Sequence, residues 1–153
     1  MIIMEDSIKI KTTPEDIFNF LKNPNNYKRW HPADHVACRW IKGNPLEKGS
    51  IQYVEEYVEG KLHKLKVIYT KCIRNKELEF KITNPIWRIF WPKSTLIIEK
   101  KDNYCVFIAK TYFRLGPISS FSKRTKKHLE AIKQHIKEEG ENLKYILEKN
   151  NTL

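Results

Sequence analysis

Between Ile51 and Tyr69 the chain alternates apolar and polar residues on either side of Glu59-Gly60, and that pattern dictates a β-hairpin. Glycine at the second turn position supplies the positive φ that a two-residue connection demands. The turn fixes the register, with Val58 opposite Lys61, Glu56 opposite His63, Val54 opposite Leu65 and Gln52 opposite Val67. Side chains alternate faces with period two, so Val54, Val58, Leu65, Val67 and Tyr69 share one mostly apolar face. Glu56 and His63 fall on that same face, whereas Glu55, Lys64 and Lys66 point to water. A carboxylate and an imidazole turned inward must be paired, solvated in a cavity, or used.

The alternation continues along the chain. Glu77 to Ile82 places Leu78, Phe80 and Ile82 inward, and a turn near Arg74-Asn75 sets Tyr69 against Phe80 and Val67 against Ile82. A last hairpin turns at Asp102-Asn103, with Phe107, Ala109, Thr111 and Phe113 sharing one parity. Upstream, Ile8 and Ile10 mark a first strand, and Val36, Cys38 and Trp40 the inward positions of a second, which Gly43-Asn44-Pro45 breaks. No crossover helix separates consecutive strands, so the sheet is antiparallel.

Helices open and close this series. Thr13 is an N-cap, Pro14 takes the first helical position, and Ile17, Phe18 and Leu21 supply a buried stripe. Asn23-Pro24 starts a second short helix that ends near Trp30, before Pro32. Gly116-Pro117 ends the strands. From about Ser119 to Lys149, Leu129, Ile132, Ile136, Leu143, Ile146 and Leu147 recur at steps of three and four, the signature of one long amphipathic helix. Gly140 interrupts it at a cost of about 1 kcal/mol relative to Ala, which implies close packing there. The expectation is a single domain over residues 1–149 and a loose tail from Asn150 to Leu153.

Composition narrows the class. A chain of 153 residues fits one domain with a real core. No apolar run approaches the roughly 20 residues needed to span a bilayer. Met1 to Met4 runs straight into Glu5 and Asp6, without a secretory pattern, so a cytoplasmic location is expected. Cys38, Cys72 and Cys105 lack C-x-x-C spacing and read as reduced, strand-borne residues. The net charge of +11 invites a nucleic-acid reading. Lysine, however, is spread throughout, and the densest cluster, Lys123 to His128, opens the long helix on a face that must be solvated anyway. Nucleic acid is therefore disfavoured as a partner.

The order strand, two short helices, six strands, long helix resembles the helix-grip fold of the START and pollen-allergen-like (SRPBCC) superfamily. The resemblance is carried by Ile8 to Leu21, by Asn25-Asn26-Tyr27-Lys28-Arg29-Trp30-His31-Pro32 and by the terminal helix. It implies an α+β fold in which a curved antiparallel sheet of about seven strands wraps the long helix. It also implies a cavity for an apolar or amphipathic small molecule, lipid-like or polyketide/aromatic-like. The walls expected here are Val54, Leu65, Val67, Tyr69, Leu78, Phe80, Phe107, Ala109, Ile132 and Ile136, with Trp30 among the ligand contacts. Superfamily members also include polyketide cyclases and co-chaperone domains, so a cyclase, dehydrase or hydrolase and an interaction domain stand as alternatives.

Candidate chemistry gathers around Glu56 and His63, as a base and acid or as a polar anchor. His31-Pro32-Ala33-Asp34-His35 adds three more groups, and His31, Asp34, His35, Glu56 and His63 together suit a divalent metal such as zinc. Strand parity turns Asp34, rather than His35, inward with Val36 and Cys38, but residues at a strand's entry often escape parity, so both stand as candidates. His128 and His135 fall near the charged face of the long helix and read as solvated. Asn84 to Lys93 carries Trp87, Phe90 and Trp91 beside Arg88 and Lys93. It reads as a loop tucked over the open end of the sheet with its aromatics buried, or as a lid or membrane-touching lip that would make transient contact with a bilayer surface. Gly-rich phosphate loops and serine or cysteine nucleophile signatures are missing from the sequence.

Overall fold

The structure, a computed structural model, describes residues 1–116 and 122–151. Its seven strands are β1 (Ile2–Ile10), β2 (His35–Lys42), β3 (Ile51–Val58), β4 (Lys61–Ile73), β5 (Glu77–Ile82), β6 (Lys93–Lys100) and β7 (Cys105–Phe113). They form one antiparallel sheet in the order β1-β7-β6-β5-β4-β3-β2. Strands β2 to β7 are therefore each paired with their sequence neighbours, as hairpin connections require, and β1 completes the sheet beside β7. Helices α1 (Pro14–Lys22) and α2 (Tyr27–Trp30), joined by a 3-10 turn at Pro24–Asn26, follow β1. A short α3 (Pro85–Phe90) joins β5 to β6, and α4 (Lys123–Asn151) ends the chain.

Local chemistry explains the boundaries. Thr13 caps α1 by accepting from the Asp16 amide at 3.2 Å, with Pro14 behind it. Glu59 and Gly60 both adopt positive φ, 49° and 77°, which gives the β3–β4 turn the hand of the sheet's own twist. The register follows the sequence expectation, Glu56 against His63 and Val54 against Leu65, and continues with Tyr69 against Phe80. The interior gathers Ile10, Ile17, Leu78, Cys105, Phe107 and Leu143, each almost wholly removed from water. The C-terminal part of α4 packs on β1, where Gly140 is buried. A Cβ at Gly140 would stand 3.3 Å from both Asp6 Oδ2 and Ile8 Cγ2, so the close approach inferred from sequence is real.

Three expectations are corrected. A β-bulge in β2 sets His35 opposite Glu56 but Ala37 opposite Glu55, inserting Val36 as the extra residue. His35 is thereby turned fully inward and Val36 is left 39% exposed, the reverse of the simple parity. Residues 85–90 are a helix, because Asn84 Oδ1 accepts from the amides of Ile86 (3.0 Å) and Trp87 (3.3 Å) and Pro85 starts the turn. Its Ile86, Trp87, Ile89 and Phe90 are more than half exposed, so the aromatics do not bury together as expected. Finally, α4 runs through Asn150 and Asn151 where a tail was expected. The expected strand end at Pro117, the helix start at Ser119 and the last two residues of that tail lie outside the described residues.

Candidate functional site

A cavity of about 490 Å³ lies between the sheet and α4. Val54, Leu65, Val67, Tyr69 and Phe80 wall it from the strands, and Ile132 and Ile136 from the helix. Trp30 lines it from α2, and Trp87, Phe90 and Trp91 from α3 and the residue after it. Ala109, expected on the wall, is there too. Two other wall expectations are corrected: Phe107 and Leu78 are core residues, 2% and 1% exposed, packed behind the cavity surface. Their parity was read correctly, but the inner face of a sheet serves both core and cavity, and parity does not separate the two.

Polar groups converge on one part of this cavity. His35 opens β2 with its ring stacked on Tyr27, centroids 3.8 Å apart and planes 3° apart. Its Nδ1 lies 2.8 Å from the Tyr27 carbonyl, which can only accept, so Nδ1 carries the hydrogen. Its Nε2 faces Glu139 Oε1 at 2.9 Å, His135 Nε2 at 3.4 Å and Glu56 Oε2 at 3.8 Å. On α4, His135 Nδ1 meets Asp34 Oδ2 at 3.0 Å and its Nε2 meets Glu139 Oε1 at 3.2 Å. The Tyr27 hydroxyl donates to Glu56 Oε2 at 3.1 Å. Burial and the neighbouring Glu56 charge push that hydroxyl well above the ordinary tyrosine range, which keeps it a donor.

His31 plays a different part. Its Nδ1 accepts from the Asp34 amide at 3.2 Å, which leaves Nε2–H to donate to Glu138 at 2.7 Å. It also stacks on His135 with centroids 4.4 Å apart. The Trp30 indole donates to the Glu139 carbonyl at 3.0 Å, and Asn142 donates back to the Trp30 carbonyl at 3.0 Å, tying α2 to α4. Burial by itself would lower the His135 pKa. The Glu139 carboxylate, with Glu56 and Asp34, outweighs burial and raises it to about 10. Burial would likewise raise Glu139, but the bonds from His135 and His35 hold it down at about 2.

Of the residues singled out in the sequence, the fold brings His31, Asp34, His35 and Glu56 together. His63 lines the cavity opposite Glu56 in register, yet the Glu56 carboxylate turns to Tyr27 and the two buried imidazoles instead. The sequence reading of His135 as solvated is corrected: it is 19% exposed and stands at the centre of the cluster. His128 is exposed as expected and pairs with Glu59 at 2.6 Å. Glu138 and Glu139 were also missed. The signal for His135 and Glu139 was present: they lie three after Ile132 and Ile136, and Glu139 lies four before Leu143, so both sit on the buried stripe.

The architecture, an antiparallel sheet with a long terminal helix over a cavity, defines a helix-grip domain of the START kind. The whole chain but its last residues, 1–148, matches the family described as polyketide cyclase / dehydrase and lipid transport, and the chain belongs to that family. Family and fold together make it a START/SRPBCC ligand-binding domain. Among solved structures it is similar to a START superfamily protein from Mycobacterium smegmatis (TM-score 0.71, 11% identity, 96% of this chain and 97% of that one covered). It is also similar to a point mutant of norcoclaurine synthase from Thalictrum flavum in complex with a transition-state analogue (TM-score 0.69, 11% identity, 98% and 96% covered). The Aha1 dimer from Colwellia psychrerythraea is more distant in shape (TM-score 0.55, 18% identity, 87% and 94% covered). At these identities the likeness establishes the fold alone. No curated protein sequence matches the chain.

Proposed function

We propose that this domain binds an apolar or amphipathic small molecule, of lipid or polyketide/aromatic type, between its sheet and α4. The observation that carries the reading is the cavity itself. Its volume of about 490 Å³ falls within the range of small-molecule sites, and its walls are mostly aliphatic and aromatic, with Asp34, Glu56, His135 and Glu139 gathered in one part. Affinity would come from apolar burial, at about 25 cal/mol per Å² removed from water. Orientation would come from Glu56 and its neighbours, which present the few hydrogen-bonding groups an amphipathic ligand's polar end requires.

Trp87 and Phe90 belong to the same reading. They line the cavity and are also more than half exposed on α3, which suits an aromatic lip past which a ligand enters. Among the described residues no helix is long and apolar enough to cross a membrane. Contact with a bilayer would therefore be at its surface, through that lip.

The test is titration of the full chain with an environment-sensitive apolar fluorophore, beside native mass spectrometry for a co-purified organic molecule. Saturable binding of one probe per chain is expected. A Leu65→Trp/Thr111→Trp variant, which fills the cavity from two strands, should weaken it about tenfold or more, equivalent to roughly 1.4 kcal/mol. A wild type that takes neither probe nor adduct, or a filled variant that binds equally well, sinks the proposal.

A further inference from the structure

The polar cluster is built for more than hydrogen bonding to a ligand. His35 and His135 come from opposite layers, one from the first residue of β2 and one from α4. Each is committed on its Nδ1 side: His35 donates to the Tyr27 carbonyl and His135 to Asp34 Oδ2. Those bonds turn each Nε2 toward the same small volume, where both meet Glu139 Oε1. An imidazole held through one nitrogen by a carbonyl or carboxylate, with the other turned toward the ion, is the usual outer-shell support of a metal ligand.

The distances agree with that use. Between His35 Nε2, His135 Nε2 and Glu139 Oε1 the three separations are 2.9, 3.2 and 3.4 Å. A tetrahedral ion with bonds of about 2.0–2.1 Å needs its donors about 3.3 Å apart. The three atoms therefore already outline one face of such a tetrahedron. Both Nε2 atoms and the carboxylate oxygen thus converge within 3.4 Å of one another, and one cation in place of the imidazole protons would take all three donors at once.

We infer that His35, His135 and Glu139 form a site for one divalent ion of the zinc type, with Glu56 beside its open fourth position. Glu56 Oε2 lies 3.8 and 3.9 Å from the two Nε2 atoms and is held by the Tyr27 hydroxyl. It lines the cavity, as do His135 and Glu139, so the fourth position opens toward whatever the cavity holds. Three protein donors and one open place are the pattern of a zinc site that acts on a ligand or water rather than one that only braces a fold. Two imidazoles to one carboxylate select zinc and late first-row ions over magnesium and calcium. His31, Asp34 and His135 also come close enough to share an ion. That set is weaker, because His31 is committed on both nitrogens and His135 would have to release Asp34.

The experiment uses the full chain stripped with a chelator and dialysed into metal-free buffer. Zinc chloride is titrated in competition with a chromogenic chelator, stoichiometry is read by native mass spectrometry, and cobalt(II) reports the ligand field by visible absorption. One zinc per chain is expected, undisturbed by millimolar magnesium. Glu139→Gln and His135→Gln should each weaken zinc about 100-fold or more and abolish the cobalt spectrum, while Asp34→Asn should cost about 10- to 100-fold as an outer-shell change. His63→Gln should leave the affinity unchanged. Denaturant midpoints of the variants confirm that they remain folded; His35 is set aside because its complete burial makes its loss a folding defect as well. No stoichiometric zinc in the wild type overturns the inference. So does zinc that survives both Glu139→Gln and His135→Gln, or zinc lost on His63→Gln. The titration requires no organic ligand, so its failure leaves the cavity reading standing, and failure of the apolar probe leaves the ion site standing.

Discussion

The two halves of α4 carry the same periodic pattern and do opposite work. From Gly140 onward the stripe is core: Leu143 is 0% exposed and Leu147 6%, and Gly140 lies against Asp6 and Ile8 of β1. Before Gly140 the stripe is a wall, with Leu129, Ile132, Ile136, His135 and Glu139 all facing the cavity. Gly140 marks the division. Where the helix touches the sheet it needs a residue without a side chain, and where it stands away it leaves room for a ligand and for charged groups. Periodicity reports which face of a helix is turned inward. It does not report how far away the opposite surface is.

Truncation should expose that difference most strongly. Leu143→Ala deletes a side chain fully enclosed by others, and the cavity left behind should cost about 3 kcal/mol in a urea or guanidinium transition. Ile132→Ala removes a similar mass from a surface already bordering open space, so about 1 kcal/mol or less is expected. The apolar probe should report the reverse order, with affinity weakened by Ile132→Ala and unchanged in the folded fraction of Leu143→Ala. Equal stability losses would mean that the two halves are packed alike and that the division at Gly140 is wrong.

The same division explains what the sequence made legible. Hairpin registers, the caps of the first helix and the run of the last came from short-range rules: alternation, a Glu-Gly turn, Thr-Pro before an apolar stripe. Glu56 opposite His63 was read correctly as a register, because a two-residue turn leaves no freedom. Its partners stayed open, because neither strand says what approaches from across the cavity. What approaches is Tyr27, His135 and Glu139, from segments 29 to 83 residues away from Glu56 in sequence. His35 stood among the candidates in spite of its strand parity, and it turns inward because a bulge at Val36, which carries no residue signature, shifts that parity by one. The α3 aromatics have an ordinary tendency to bury, which a short helix capped by Asn84 overrides by carrying Trp87 and Phe90 more than half exposed.

A smaller effect is expected at the dividing point. Replacing Gly140 by Ala would gain about 1 kcal/mol of helix propensity if the site were open. It is not open, since the added methyl meets Ile8 Cγ2 and Asp6 Oδ2 at 3.3 Å. The Asp6 carboxylate can swing aside. Ile8 cannot, because its χ1 is stiff and its strand is held by β7 in register with Phe107. Overpacking should outweigh propensity, giving a net loss of about 1 kcal/mol in the denaturation midpoint. A stabilised Gly140→Ala would show that α4 and β1 can part there without cost, and the contact would no longer divide the helix.

The smallest expected effect concerns the charge at that contact. Burial under α4 and then the nearby Glu141 raise the Asp6 pKa above its ordinary value, against the weaker pull of Lys137 and Lys133. For an acid whose folded pKa is raised, the folded state holds its proton more tightly than the unfolded chain does. Stability from this group is therefore full below the ordinary value of 3.8, declines as pH rises to the folded value, and stays reduced above it. Asp6→Asn removes the charge but keeps the shape, so at pH 7 it should stabilise the domain, by about 0.5 kcal/mol or less for a group only partly buried. The gain should vanish at pH 3, where the wild-type carboxyl is itself neutral. A gain that persists unchanged at pH 3 would assign the effect to packing on Gly140 and not to charge. A loss at pH 7 would mean that Lys137 and Lys133 hold Asp6 more firmly than burial and Glu141 oppose it.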